Sequence, residues 1–127
     1  MGNKLIIPYG RQNITEEDIK SVERVLRSDF LTQGPEVPNF ESNFSNYVGS
    51  KYSVAVNSAT SGLHLGCLAL GLKSGDRLWT SAVTFVASAN CALYCGASVD
   101  LVDIDESTAN MSIDSLKKKL IQAGRFS

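Results

Sequence analysis

Three short β-type segments alternate with helical segments in the second half of the chain, and this alternation limits the folds available to it. Residues 52–57, 77–81 and 98–104 are predicted strands, because they are short runs rich in β-formers and bounded by turn residues. Helices are predicted between them, and an amphipathic helix at 112–122 follows the last strand. Strands separated by helices pair in parallel, so we expect an α/β fold with a mostly parallel sheet.

Two further helices are predicted ahead of the first strand. Thr15 precedes an acidic turn with Asp18 three residues later, which indicates a capping box. The second helix should end at Gly49, and its apolar stripe consists of Val37, Phe40, Phe44 and Tyr47. We therefore predict an N-terminal helical segment at residues 1–50 and the first part of a larger α/β domain at residues 51–127.

The composition is that of a globular protein and offers no basic surface for a nucleic acid. The 127 residues are 43% hydrophobic and carry 12 basic against 13 acidic side chains, a net charge of −1. The apolar stretch from Leu5 to Ile7 is too short for a signal peptide, and no run reaches membrane-spanning length, so a cytoplasmic location is expected.

The helix between Leu63 and Leu72 is apolar on most sides, which predicts its burial.

The cysteines and the histidine make a poor set of metal ligands. Cys67, Cys91 and Cys95 are odd in number and follow no secretion signal, which argues against a disulfide framework. The chain has one histidine, His64, which is distant in sequence from the last two cysteines. We interpret the cysteines as small apolar side chains and the histidine as a packed or surface residue.

The turn after the first predicted strand, residues 57–62, is the first candidate site. It reads Asn-Ser-Ala-Thr-Ser-Gly and leads from the carboxyl end of a strand into a helix, where α/β proteins bind ligands. The free N–H groups and dipole of a helix N-terminus suit a phosphate, and Thr60 and Ser61 add hydroxyl donors. The glycine spacing of dinucleotide and Walker-type loops is absent. A simple helix cap is the alternative interpretation.

The turn after the second predicted strand, residues 81–90, occupies the equivalent position. Two such turns at one sheet edge can face a single ligand. Phe85, in the first turn of the predicted helix, can stack on a planar heterocycle. Taken alone, Phe85 is better explained as a core residue.

In their order and spacing these segments resemble the DegT/DnrJ/EryC1/StrS family of sugar aminotransferases, which use pyridoxal 5'-phosphate. The resemblance covers nearly the whole chain, but only the early part of a family member. It implies part of the three-layer α/β/α large domain of a fold type I transferase, with N-terminal helices ahead of it. The matching blocks are residues 31–37, 40–41, 57–65, 75–77, 84–90, 96–97 and 102–105.

The resemblance implies roles for three residues at the cofactor. Thr60 and Ser61 match the pair that holds the cofactor phosphate with side-chain and backbone donors. Phe85 matches the aromatic side chain that stacks on the pyridine ring. Neither a catalytic residue nor a metal ligand is assigned within the chain.

The loop at residues 31–35 resembles the family's segment near the sugar-nucleotide site at the dimer interface. Thr32, Gln33 and Gly34 are therefore candidate substrate-binding residues. The implied substrates are an amino-acid donor, expected to be glutamate, and a nucleotide-linked keto deoxy sugar. The implied assembly is a homodimer or an association with another chain, without nucleic acid or membrane partners.

Two parts of the family's catalytic machinery have no match in the 127 residues. Amino transfer needs a lysine that bonds to the cofactor and moves a proton, and an acid that pairs with the pyridine nitrogen. Lysines such as Lys51, Lys73 and Lys119 do not lie in the expected context. Three hypotheses stay open: amino transfer by the intact enzyme, a related sugar dehydratase in which histidine replaces the lysine, and a non-catalytic phosphate- or partner-binding module.

The resemblance also raises a problem of strand pairing. In the family's large sheet the first strand lies apart from the second and third, and later strands fill the space between them. Residues 52–57 should therefore lack their usual neighbours and expose unpaired backbone groups. We expect rearranged pairing, association with another chain, or a chain that is part of a larger protein.

We predict that the 127-residue chain alone does not catalyse amino transfer, because no lysine lies in the family's context. With pyridoxal phosphate, glutamate and a keto-sugar nucleotide added, the chain should form no 2-oxoglutarate above the rate of the cofactor alone. A dehydrogenase-coupled assay measures this product. Product formation that is lost on replacing one of the chain's lysines would contradict the prediction.

Overall fold

The computed structural model describes residues 8–124, and the chain divides into two compact units, Met1–Ala55 and Val56–Ser127. None of the helices in the described residues is long and apolar enough to cross a membrane. The stretch from Leu5 to Ile7 lies outside the described residues. In chain order the elements are α1 (Glu16–Leu26) and α2 (Glu36–Val48) in the first unit, then α3 (Ala59–Ala69), β1 (Arg77–Ser81), α4 (Ala87–Tyr94), β2 (Ser98–Val102) and α5 (Ile113–Gln122) in the second.

One end of each helix in the first unit is set by a signal in the sequence, the start of α1 and the end of α2. The predicted capping box is confirmed: the Thr15 N–H donates to the Asp18 carboxylate at 2.7 Å, and the Asp18 N–H donates to Thr15 Oγ1 at 3.3 Å. Helix α2 ends at Gly49 as predicted, with φ of 70°, a left-handed conformation that glycine adopts without strain. Arg24 donates to the Glu36 carboxylate through both terminal guanidinium nitrogens, at 2.7 and 3.3 Å.

The predicted strand at residues 52–57 is wrong, because no described strand pairs with this segment. A side chain supplies one of the missing backbone partners instead: the Ala55 N–H donates to Glu41 Oε1 at 2.7 Å. The Ser45 hydroxyl donates to Ser53 Oγ at 2.8 Å, and Val54 is 77% exposed. The segment therefore lacks a ladder, as the strand order of the family implies.

The two observed strands form a parallel pair. Their register runs from Arg77 opposite Ser98 to Ser81 opposite Val102. The bounds predicted for β1 are confirmed, whereas β2 ends two residues earlier than the predicted 98–104. After β2 the chain leaves the parallel pair: the Asp103 carboxylate accepts the Ile104 N–H at 2.8 Å, and Ile104 forms an isolated antiparallel bridge with Met111.

The core of the second unit is made mainly of small side chains from α4 and the sheet. Ala87, Cys91, Ala92, Ala97 and Val102 are its buried residues, and α4 packs against both strands and against α3. Helix α4 begins at Ala87 and not at Val83, because residues 82–86 form the turn out of β1. Small side chains allow helix and sheet to approach closely.

The predicted burial of α3 is wrong: none of its described residues is buried, and Leu63 is 42% exposed. The helix is covered on the side of α4. There Cys67 lies against Cys91, and its pKa is raised, by burial first and by Cys91 second. His64 meets the ring of Tyr94 with centroids 5.3 Å apart, edge to face.

A part-buried ion pair joins helix α5 to strand β2. Lys119 Nζ lies 2.8 Å from Asp100 Oδ1, with about a third of each side chain exposed. The hydrogen bond from Lys119 holds the pKa of Asp100 below its ordinary value. Because a carboxyl with a depressed pKa in the folded state stabilises the fold only while ionised, the pair should matter above the ordinary pKa of an aspartate.

We predict that Asp100→Asn lowers the urea midpoint of the second unit at pH 7, and that the deficit disappears as the pH falls through the depressed pKa of Asp100, below about 4. At that pH wild-type Asp100 is protonated and also lacks its charge. Urea unfolding of both proteins at pH 7 and at low pH measures the effect. Glu106→Gln, at an exposed acid without a hydrogen-bond partner in the described residues, is the control and should leave the midpoint unchanged. An equal deficit at both pH values would contradict the prediction.

Candidate functional site

Three side chains organise the N-terminus of α3. Ser58 is its N-cap, in extended conformation, and Ser58 Oγ accepts the Ser61 N–H at 3.2 Å. The Ser61 hydroxyl lies 2.8 Å from Asn57 Oδ1 and 3.0 Å from Ser58 Oγ. The sequence predicts a turn over residues 57–62, whereas the helix already begins at Ala59. The sequence does contain the signal for this cap, a serine one residue before the helix. It does not reveal that Asn57 holds the hydroxyl of Ser61.

The same turn leaves several donors free for a ligand. Within residues 8–124, no protein acceptor bonds the backbone N–H groups of Ala59 and Thr60 or the Thr60 hydroxyl. The first turn of α3 contains no acidic residue. Free N–H groups at the positive end of the helix dipole, without a competing carboxylate, suit an anion such as a phosphate.

Phe85 lies in the turn ahead of α4 and is 72% exposed. The structure therefore does not place it in the core of the second unit. Behind it, Thr84 Oγ1 and Ser88 Oγ share a hydrogen bond of 3.1 Å, which ties the turn to the start of the helix. An exposed ring on a hydrogen-bonded turn is free to stack against a planar ligand.

The α3 and α4 turns lie at the same edge of the sheet. A Cβ built on Gly96, just after α4, would be 3.8 Å from Ser74, which follows α3, so the two helices end side by side. Both helices therefore begin at the opposite edge, where the parallel strands β1 and β2 end. Thr60, Ser61 and Phe85 are thus all placed at the carboxyl edge of the sheet, where α/β folds bind ligands.

Two aspartates follow β2 at this edge, and both are engaged in local turns. Asp105 Oδ1 accepts the Ser107 and Thr108 N–H groups at 2.9 and 3.0 Å, and it also accepts their hydroxyls. Hydrogen bonding by the Ser107 hydroxyl is the main cause of the lowered pKa of Asp105. Asp103 accepts the Ile104 N–H. These carboxylates therefore shape the chain after the strand.

The candidate substrate loop belongs to the first unit, and its backbone has one left-handed residue and one close approach at a glycine. Thr32 is exposed, and Gln33 has φ of 56°, a left-handed conformation that few residues other than glycine adopt. A Cβ on Gly34 would lie 2.8 Å from the Cβ and 3.1 Å from the carbonyl oxygen of Phe30. The loop thus has a defined shape that depends on glycine.

The comparisons with known proteins agree on one family. The sequence model of the DegT/DnrJ/EryC1/StrS aminotransferase family matches residues 12–125. The chain belongs to this family. The expected membership is thereby confirmed.

Proteins similar to the chain include both transaminases and a dehydratase. The UDP-4-amino-4,6-dideoxy-N-acetyl-beta-L-altrosamine transaminase of Campylobacter jejuni is 39% identical over 92% of the chain and 31% of its own length. The putative sugar aminotransferase Spr1654 of Streptococcus pneumoniae, in its PLP-form, is 35% identical with a TM-score of 0.81, over 88% of the chain and 29% of that protein. The GDP-4-keto-6-deoxy-D-mannose-3-dehydratase of E. coli with bound hydrated PLP is 31% identical, with a TM-score of 0.82. The match covers 91% of the chain and 31% of that protein.

These similarities show the fold of the chain and the share of a family member that it covers. The expected partial α/β domain of a fold type I transferase is confirmed by the shared fold. The chain spans about 30% of the length of these family members.

We predict that Gly34→Ala destabilises the first unit by about 1–3 kcal/mol, because the new methyl group overlaps Phe30. Urea unfolding measures the loss. Gly10→Ala is the matched control, since a Cβ there has nothing within 4 Å, and it should be neutral or slightly stabilising. Equal stability of the two variants would show that the loop relaxes freely.

Proposed function

We propose that the chain forms the phosphate-binding part of a pyridoxal-phosphate enzyme that transfers an amino group from an amino acid, glutamate, to a nucleotide-linked keto deoxy sugar. The observation that carries the proposal is the set of free donors at Ala59 and Thr60, inside the block that resembles the family's phosphate turn. The PLP-form of a similar sugar aminotransferase supports the choice of cofactor.

The described residues fit such a cofactor. The Thr60 hydroxyl and the backbone N–H groups of Ala59 and Thr60 bind the phosphate at the positive end of α3. Phe85, at the same sheet edge and 72% exposed, stacks on the pyridine ring. When bound, the cofactor supplies an electron sink for carbanion chemistry, and the protein binds and orients it.

The sugar nucleotide is the proposed ligand of the 31–35 loop. Thr32 and Gln33 offer exposed polar side chains there, and Gly34 keeps the backbone close-packed. The name of the Campylobacter jejuni transaminase, which contains a UDP-linked amino sugar, supports this substrate class. The active assembly is a homodimer in the cytoplasm, and the catalytic lysine is supplied from outside these 127 residues.

A sugar dehydratase of the same family is the second candidate. The observation in its favour is the E. coli dehydratase, which has a TM-score of 0.82, against 0.81 for the PLP-form aminotransferase. The names of both structures include the cofactor, as the PLP-form and as bound hydrated PLP, so a phosphate turn at α3 suits either reaction. Assay of the intact protein separates them, because a dehydratase releases water from the keto sugar and leaves no amino group on it.

We predict that the chain binds pyridoxal phosphate with a millimolar or tighter dissociation constant, and that replacing both Thr60 and Ser61 with alanine weakens binding at least about tenfold. Quenching of its one tryptophan, Trp79, on titration with the cofactor measures binding. Phe85→Ala should weaken binding of the cofactor and leave binding of inorganic phosphate unchanged, because only the ring contact is lost.

Ser42→Ala, on an exposed position of α2, is the control for the loss of a hydroxyl. It should bind as the wild type does. Equal binding by the Thr60–Ser61 double variant and the wild type would contradict the assignment of the phosphate turn. Absence of binding by a folded wild-type chain would favour the non-catalytic, partner-binding alternative.

A further inference from the structure

The single hydroxyl proton of Ser61 is already donated to a hydrogen bond. Its oxygen lies 2.8 Å from Asn57 Oδ1, which accepts hydrogen bonds and donates none. The Ser58 oxygen, 3.0 Å from Ser61 Oγ, accepts the Ser61 N–H, and its own proton can go either to Ser61 Oγ or to Asn57 Oδ1 at 3.5 Å. In either arrangement the Ser61 hydroxyl donates its proton to Asn57 Oδ1.

A phosphate needs the same proton. At neutral pH the unprotonated oxygens of a phosphate monoester accept hydrogen bonds, so a serine side chain binds them by donating its proton. The Thr60 hydroxyl is free to do so, since it makes no hydrogen bond within the described residues. Ser61 differs from Thr60, because it must first give up its bond to Asn57.

The carboxamide of Asn57 offers a direct route. Rotation by half a turn about its last side-chain bond places the NH2 group where the oxygen was. That group donates to Ser61 Oγ, which keeps a hydrogen bond at the same distance and frees the Ser61 proton. A carboxylate cannot do this, because both of its oxygens only accept.

We propose that Asn57 is a positioning residue of the phosphate turn, and that rotation of its carboxamide releases the Ser61 proton to a bound phosphate. The inference rests on the proposed function, since it takes the α3 turn as the phosphate site. It makes the polarity of residue 57, and not only its size, a determinant of phosphate affinity.

A double-mutant cycle tests the coupling. The dissociation constant of inorganic phosphate is measured for wild type, Ser61→Ala, Asn57→Asp and the double variant. Ser61→Ala should weaken wild-type binding about fivefold, because one bond to a charged acceptor is lost. In the Asn57→Asp background Ser61→Ala should change binding less than about twofold, because the Ser61 proton is already withheld.

The cycle cancels charge repulsion at residue 57, because both variants in the Asn57→Asp background carry the same added charge, and one control tests the change in net charge. Asn46→Asp adds the same charge on an exposed position of α2 and should leave the fivefold effect of Ser61→Ala intact. A further readout needs no variant of Asn57: its side-chain NH2 resonances should shift on phosphate addition in the wild type and not in Ser61→Ala.

The outcomes distinguish this inference from the proposed function. The inference is overturned if phosphate binds but Ser61→Ala weakens binding equally in the wild type and in Asn57→Asp. It is also overturned if phosphate binds and the Asn57 resonances do not shift. In both cases the phosphate site itself is retained. Absence of binding of both inorganic phosphate and pyridoxal phosphate by the wild-type chain overturns both.

Discussion

The parallel pairing of β1 with β2 is the constraint on which the second unit depends. Parallel strands need a crossover, and α4 provides it by running back along the sheet before β2 begins. Ser74, which follows α3, lies beside Gly96, which follows α4, so both helices begin at the other edge. Because of this geometry, the free donors of Thr60 and the exposed ring of Phe85 lie at one edge of the sheet.

The elements that local sequence signals specify were predicted well. The capping box at Thr15, the left-handed end of α2 at Gly49 and the bounds of β1 all follow from residue type and spacing. In each case the deciding interaction lies within a few residues along the chain. At the α3 turn a helix cap was the alternative interpretation, and Ser58 does accept the Ser61 N–H there.

The elements that depend on long-range partners were predicted poorly. Residues 52–57 have the composition of a strand, but a strand also needs a neighbour, and Glu41 instead takes the Ala55 N–H. Helix α3 is apolar like a buried helix, yet Leu63, Leu65 and Leu68 stay 42–49% exposed. The direction in which the Ser61 hydroxyl points depends on Asn57, and neither spacing nor family resemblance reveals it.

The central claim is that the first turn of α3 binds the phosphate of the cofactor. Titration of the 15N-labelled chain with inorganic phosphate, followed by amide chemical shifts, tests it most directly. The account predicts that the largest saturable shifts occur at the free N–H groups of Ala59 and Thr60. Shifts that spare these two amides, or that never saturate, would contradict it.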